Sequence, residues 1–267
     1  MRRAFIVLMI SVGLTGLVLA EEGVKKNRLR PYEFGMVTIS QNSMKAGISP
    51  VIFDHWLHRA KFTCRLCHLD IGFGMKTGAT NIRAANNIRG FYCGTCHNGK
   101  TTFADKTVFA ACSKNPSKDD EERCKKCHST DRDEKRETDF LNLIEKFPKE
   151  RLGNGVDWEK AEELGMIKPI DFLEGISLTK PPQKLQKDFT LDSKFEGMPD
   201  IIFSHKKHTV WNGCEVCHPK PFVGVKKGST KYSMLEIFNG KFCGLCHYNV
   251  AFPVTDCQRC HRKPIQR

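Results

Sequence analysis

Beyond residue 20 the chain has no apolar run long enough to cross a membrane. Residues 130–198 contain no Cys and no His. No histidine stands outside two recurring patterns, so none is spare for general acid–base work. Acidic residues are few, 30 Asp and Glu against 43 Lys and Arg, which leaves a formal charge of +13. That charge comes without an aromatic-interleaved basic motif or a groove-reading helix pattern, so nucleic acid is not an expected partner.

What the chain does have begins at its N-terminus. Met1-Arg2-Arg3 precedes an apolar run from Ala4 to Ala20, then Glu21-Glu22. With Val18 at minus three from Ala20, residues 1–20 read as a secretory signal peptide, the alternative being an uncleaved anchor. Export points to the periplasm, with the cell surface or extracellular space as alternatives, and leaves no membrane span after cleavage. Without Arg2 and Arg3 the charge becomes +11.

An exported chain with 13 cysteines suggests disulfides first. The spacing argues otherwise. Twelve of them form six Cys-x-x-Cys pairs, each followed at once by His: Cys64, Cys67 and His68; Cys93, Cys96 and His97; Cys124, Cys127 and His128; Cys214, Cys217 and His218; Cys243, Cys246 and His247; Cys257, Cys260 and His261. A disulfide framework has no use for those histidines, and zinc does not require one after every pair. Cys-x-x-Cys-His is the attachment motif for heme c, so six covalently bound hemes are expected. Two propionates on each would offset much of the Lys and Arg excess. The remainder would steer docking of an acidic redox partner.

The motifs fall into a repeat. Ile52-Phe53-Asp54-His55-Trp56-Leu57-His58 is answered 150 positions later by Ile202-Phe203-Ser204-His205-Lys206-Lys207-His208. Each His-x-x-His precedes three Cys-x-x-Cys-His motifs. The resulting segments are 21–47 (N-terminal), 48–129 (first repeat), 130–198 (non-heme linker) and 199–267 (second repeat). The first repeat carries a 17-residue insertion after its second motif, rich in Lys, Asp and Glu, expected as an exposed loop. Tyr32–Ile39 and Ser49–Phe53 predict a small β-hairpin. In the linker, Phe140, Leu143, Ile144 and Phe147 have helical spacing, ended by Pro148. Gly153-Asn154-Gly155 predicts a turn, Asp157 caps a helix to Leu164, and Pro181-Pro182 marks a connection. The linker is expected to be a spacer packed on the heme domains, a partner-docking element being the alternative. Overall the expectation is mostly loop, short α-helices and little β-sheet around a heme-packed core.

Ten histidines can be accounted for completely. Six belong to attachment motifs and would be proximal iron ligands. The other four, His55, His58, His205 and His208, would be distal ligands. Side chains three apart share a helix face, so each pair would serve two neighbouring hemes. A histidine on both faces gives a closed, six-coordinate iron suited to electron transfer.

Phe-x-His-x-x-His followed by Cys-x-x-Cys-His resembles the N-terminal signature of the class III, c3/c7-type multiheme cytochromes. Each repeat is similar to a triheme c7-like unit. The resemblance covers about 48–129 and 199–267. It implies that His55 faces the heme of His68 and His58 that of His97, with His205 and His208 serving those of His218 and His247. The family also places a histidine shortly before the second motif, and neither Asn86–Tyr92 nor Ile237–Phe242 has one. The hemes of His128 and His261 therefore lack an evident sixth ligand. Met234 and Met75 are candidates, packing against a ring being the alternative; Ala84 stands where Met234 aligns. Cys112, the odd cysteine, lies in the insertion.

The expected function is an exported hexaheme c-type cytochrome passing electrons between redox proteins, such as other cytochromes or a membrane quinol-oxidising complex, without being an enzyme. One alternative is a multiheme reductase with an open iron at His128 or His261. Another is a conductive part of a larger cytochrome assembly.

Overall fold

A strand runs straight into a histidine helix in each repeat, and this unit organises both halves. The computed structural model describes residues 29–129, 134–178, 187–193, 195–224 and 226–263. The signal-peptide expectation for 1–20 and the Pro181-Pro182 connection lie outside the described residues. Strands β1 (Met36–Ile39) and β2 (Val51–Asp54) pair antiparallel, with Val37 opposite Phe53 and Ile39 opposite Val51. This is the expected hairpin, built from β-branched residues that suit a pleated surface. β2 passes directly into α1 (His55–Arg59), with Asp54 still extended at the N-cap position. Short helices α2 (Ala84–Ile88) and α3 (Glu121–Lys125) follow. The insertion forms a two-stranded turn, β3 (Thr102–Phe103) against β4 (Lys106–Thr107).

The linker supplies α4 (Glu134–Ile144) and α5 (Trp158–Glu163). α4 buries Phe140 and Ile144, as the spacing predicts. Gly153 and Gly155 take positive φ at the turn, and the Asp157 carboxylate accepts from the Lys160 amide at 3.1 Å to cap α5. The second repeat reuses the hairpin. β5 (Phe189–Leu191), which lies within the 130–198 stretch, pairs antiparallel with β6 (Ile201–Phe203). β6 leads into α6 (His205–Asn212), where the Ser204 hydroxyl accepts from the Lys207 amide. α7 (Met234–Phe238), α8 (Gly244–His247) and α9 (Cys257–Cys260) complete the chain. Among the described residues no helix is long and apolar enough to span a membrane.

The fold is thus mostly loop with short helices and small antiparallel sheets. Among the described residues a buried hydrophobic cluster joins the N-terminal segment and first repeat to the linker: Tyr32, Trp56, Phe140, Ile144, Val156, Trp158, Ala161 and Ile167. The Trp56 indole donates to the Tyr32 carbonyl at 3.1 Å and meets Phe140 edge-on at 5.2 Å. The linker is therefore packed against the histidine helix, and it builds a small aromatic core where the sequence suggested only heme would fill the interior.

Candidate heme-binding site

The Phe of each Phe-x-His-x-x-His fixes both histidines. Phe53 meets the His55 ring edge-on at 4.9 Å and stacks on His58 at 4.4 Å. Phe203 repeats this with His205 at 5.0 Å and His208 at 4.4 Å. Both histidines of a pair lie on one helical turn, so their rings are splayed about the same phenyl group. The sequence marked this Phe only as part of a motif; its role needed the ring geometry.

Nine of the ten histidines commit Nδ1 to a backbone carbonyl, which can only accept, so Nδ1 carries the proton. His55 donates to Gly35, His58 to Asp54, His68 to Phe73 and His128 to Ser49, at 2.6–3.0 Å. His205 donates to Lys187, His208 to Ser204, His218 to Phe222, His247 to Phe252 and His261 to Pro199, at 2.6–3.1 Å. At His97 burial lowers the pKa and the nearby Phe109 carbonyl opposes it, but no partner reaches Nδ1 with ordinary hydrogen-bond geometry. A protonated, anchored Nδ1 leaves the Nε2 lone pair free, which is how metal-binding imidazoles are held. Burial favours the same neutral form. It pulls His55, His58 and His247 down to about 4, only partly opposed by their carbonyl partners.

Three pairs of these rings face each other. His55 and His68 lie 6.5 Å apart between centroids with planes 7° apart. His58 and His97 are 6.3 Å apart, and His208 and His247 6.1 Å. Two metal–imidazole bonds of about 2 Å each, with the inner half of each ring, require roughly 6 Å between centroids. The separation therefore admits one metal ion between the rings and is too wide for direct stacking contact.

The third attachment motif of each repeat closes onto the hairpin. His128 bridges Val51, and His261 bridges Ile201 in the same way. Their carbonyl partners, Ser49 and Pro199, are themselves 150 residues apart. Neither histidine belongs to one of the three facing pairs; Met75 and Met234 line the same cavity. The second motif is fixed differently. Tyr92 and Phe242, just before Cys93 and Cys243, both have φ of 52°. The next residues but one, Gly94 and Gly244, press on the Asn87 and Ile237 carbonyls, where a Cβ would overlap the oxygen. This explains the glycine shared by both second motifs.

Ten of the twelve motif cysteines line largely apolar space, Cys124 and Cys214 standing outside its lining. Burial pushes Cys67, Cys93 and Cys246 up to about 12 and Cys243 to about 11, so their thiols are far from reactive thiolates. None of the thirteen is in a disulfide. Among the described residues no group of three or more His, Cys, Asp and Glu is placed to hold a metal ion unaided. The cavity they border measures about 2640 Å³. Small-molecule sites are about 300–1,000 Å³, so this space suits several large, flat, apolar groups. The donor set, paired imidazoles over buried Cys-x-x-Cys, fits heme c. Cys112 lies apart from the cavity lining, in hydrogen-bond contact with the Asn87 amide at 3.8 Å.

Comparison with known proteins agrees. The family described as cytochrome c7 and related cytochrome c matches residues 51–136 and 201–262, one region in each repeat. Among solved structures, the chain is similar to the C-terminal hexaheme fragment of GSU1996, with 25% identity over 85% of this chain and 97% of that one, TM-score 0.26. The N-terminal hexaheme fragment of GSU1996 gives 20% identity over 85% and 98%, TM-score 0.24. The dodecaheme cytochrome c GSU1996 gives 22% over 85% and 74%, TM-score 0.25. No curated protein matches.

Proposed function

The chain belongs to the cytochrome c7 family, matched once in each repeat, and from that premise we propose that it is an exported hexaheme cytochrome carrying electrons between redox proteins. The family is one of electron-transfer cytochromes with covalently bound heme c, whose iron gains and loses single electrons. The cysteines of the six motifs would carry the thioether links, and His68, His97, His128, His218, His247 and His261 the proximal bonds. His55, His58, His205 and His208 would close the opposite faces. The first repeat would span 48–129 and the second 199–267, with 130–198 between them.

The observation that carries this reading is the common polarity of the histidines. Nine anchor Nδ1 on a carbonyl, and three ring pairs stand 6.1–6.5 Å apart. Histidines serving an aqueous acid–base role would not share one tautomer in apolar surroundings. These residues would hold the irons facing the four paired histidines closed, with their own rings fixed by carbonyl anchors, so that little protein rearrangement would accompany each electron.

The periplasm is the proposed compartment, and other cytochromes or a membrane quinol-oxidising complex are the proposed partners. Counting hemes tests the reading. Intact mass and a pyridine hemochrome assay should give six per mature chain; a clear shortfall removes the hexaheme assignment. Ferric spectra test the role. A high-spin fraction that shifts with added small ligands would favour a reductase acting at His128 or His261.

A further inference from the structure

The linker does more than connect. Four of its acidic residues, Glu150, Asp157, Glu159 and Glu162, meet side chains of the second repeat. Arg259 of the second repeat pairs with Glu150, and lies 3.3 Å from Asp157, 3.7 Å from Glu159 and 3.7 Å from its own Asp256. Lys207 pairs with Glu159, and the Trp211 indole donates to Glu162 at 2.6 Å. On the other side, the linker holds the first repeat. Arg136 pairs with Asp54, and the Thr63 hydroxyl donates to Asp171 at 2.7 Å. The Thr63 amide donates to the Ile170 carbonyl, and the Ile170 amide to that of Lys61.

One residue reaches all three segments. Arg59, last in α1, places its guanidinium 4.8 Å from the ring of Trp158 in the linker and 5.5 Å from Trp211 in the second repeat. It donates to the Val250 carbonyl at 2.9 Å, three residues after His247. Both indoles are within cation–π range, and a planar guanidinium can satisfy two faces and a carbonyl together. Thr209 occupies the equivalent position in the second repeat, so the histidine helix itself does not require an arginine there. The backbones also meet closely. A Cβ on Gly35 would stand 3.2 Å from the Asn249 carbonyl, and one on Gly213 only 2.9 Å from the Arg65 side chain, between Cys64 and Cys67. Cys64 lies within electrostatic reach of Cys217 and Cys246.

We propose that residues 134–178 form an internal docking element that, pinned by Arg59, holds the Cys64–His68 attachment site against the second repeat's Cys214–His218 and Cys243–His247 sites in one fixed register. The positioning residue is Arg59, and the ligand of the docking element is the second repeat of the same chain. The inference deepens the electron-transfer reading and rests on it only for its consequence. The two halves exchange electrons at this face, an exchange that moves one electron and breaks no bond.

The test uses the full heme-loaded protein carrying Arg59→Met, with Arg59→Lys beside it. Backbone hydrogen exchange is read over 158–164 and 247–252, together with small-angle X-ray scattering. Arg59→Met should speed exchange in both peptides about tenfold and raise the radius of gyration. Arg59→Lys, which keeps the cation but loses the fork, should recover part of both. Removing a cation near Cys64 and Cys246 should also move a minority of the redox steps to lower potential, while Arg59→Lys leaves them in place. Wild-type exchange and scattering in Arg59→Met would overturn the proposal. If that variant fails to mature, Trp211→Phe, which loses the bond to Glu162 and leaves a smaller ring beside Arg59, should speed exchange in the same peptides, and unchanged exchange there overturns it equally. Heme content is measured on the wild type. A shortfall defeats the hexaheme reading, while exchange and scattering still decide the docking element.

Discussion

Replacing His58 with alanine gives a quantitative test of the paired-histidine geometry. The side chain stacks on Phe53 at 4.4 Å, donates to the Asp54 carbonyl at 3.0 Å and faces His97 at 6.3 Å. Losing the stack costs about 0.5–1.5 kcal/mol. Losing one net hydrogen bond costs about 0.5–1.5 kcal/mol more. Together, about 1–3 kcal/mol lowers the melting temperature of a chain this size by roughly 2–12 °C. The protein should fold and carry its full complement of heme. In ferric spectra one iron in six should turn high-spin, and dissolved imidazole should reverse the change by filling the space beside Phe53. His55→Ala should affect a different iron, that of His68, so the double variant should convert two in six. No gain in high-spin iron over the wild type in His58→Ala, or one substitution converting two, would refute the assignment of one histidine to each neighbouring site.

Gly94→Ala and Gly244→Ala should each destabilise by about 1–3 kcal/mol, because the added methyl meets a backbone carbonyl that no rotamer change can move aside; matched thermal melts of the two would show the repeat symmetry. Asp157→Ala should cost about 0.5–2 kcal/mol through loss of the α5 cap, while Asp157→Asn keeps the cap and should cost less. The pH dependence of unfolding should report the Arg259 cluster. The bond from Arg259 holds the Glu150 carboxyl below its ordinary value of 4.5, helped by the Arg151 amide. A depressed carboxylate contributes stability above its unfolded pKa and loses it as pH falls through the folded value. Arg259→Met should therefore lower stability at neutral pH, converge on the wild type as pH falls below about 4.5 and so flatten the acid limb, as denaturant titrations across pH 3–7 would show.

Much of the site was legible because attachment chemistry is local. Cys-x-x-Cys-His needs five consecutive residues on one turn, and His-x-x-His needs one helical face, so spacing alone identifies both. The hairpin before the first histidine pair and the Asp157 cap were also readable, since alternation and capping are neighbour effects. The second hairpin was not. Phe189–Leu191 is only three residues long, and only its pairing with Ile201–Phe203 reveals it as the counterpart of the first. The carbonyl partners of the histidines were hidden for the same reason. His128 reaches Ser49 and His261 reaches Pro199, contacts across 79 and 62 residues that no pattern encodes.

The linker shows where local reading ends. Its helices could be drawn from the spacing of Phe140, Ile144 and Trp158, but a helix pattern does not say what its buried face meets. Tertiary structure places that face on Trp56, and puts the acidic residues of α5 around Arg259, Lys207 and Trp211. Arg59 carries no sequence signal of its own; it is a contact between three segments only because Trp158, Trp211 and Val250 are brought to it. The sequence by itself determined which atoms can attach and ligate heme, because covalent and coordinate bonds demand particular residues at particular intervals. Tertiary structure alone decided how the two sets of sites are held together, because ion pairs, stacked rings and close backbone contacts depend on distances between residues far apart in the chain.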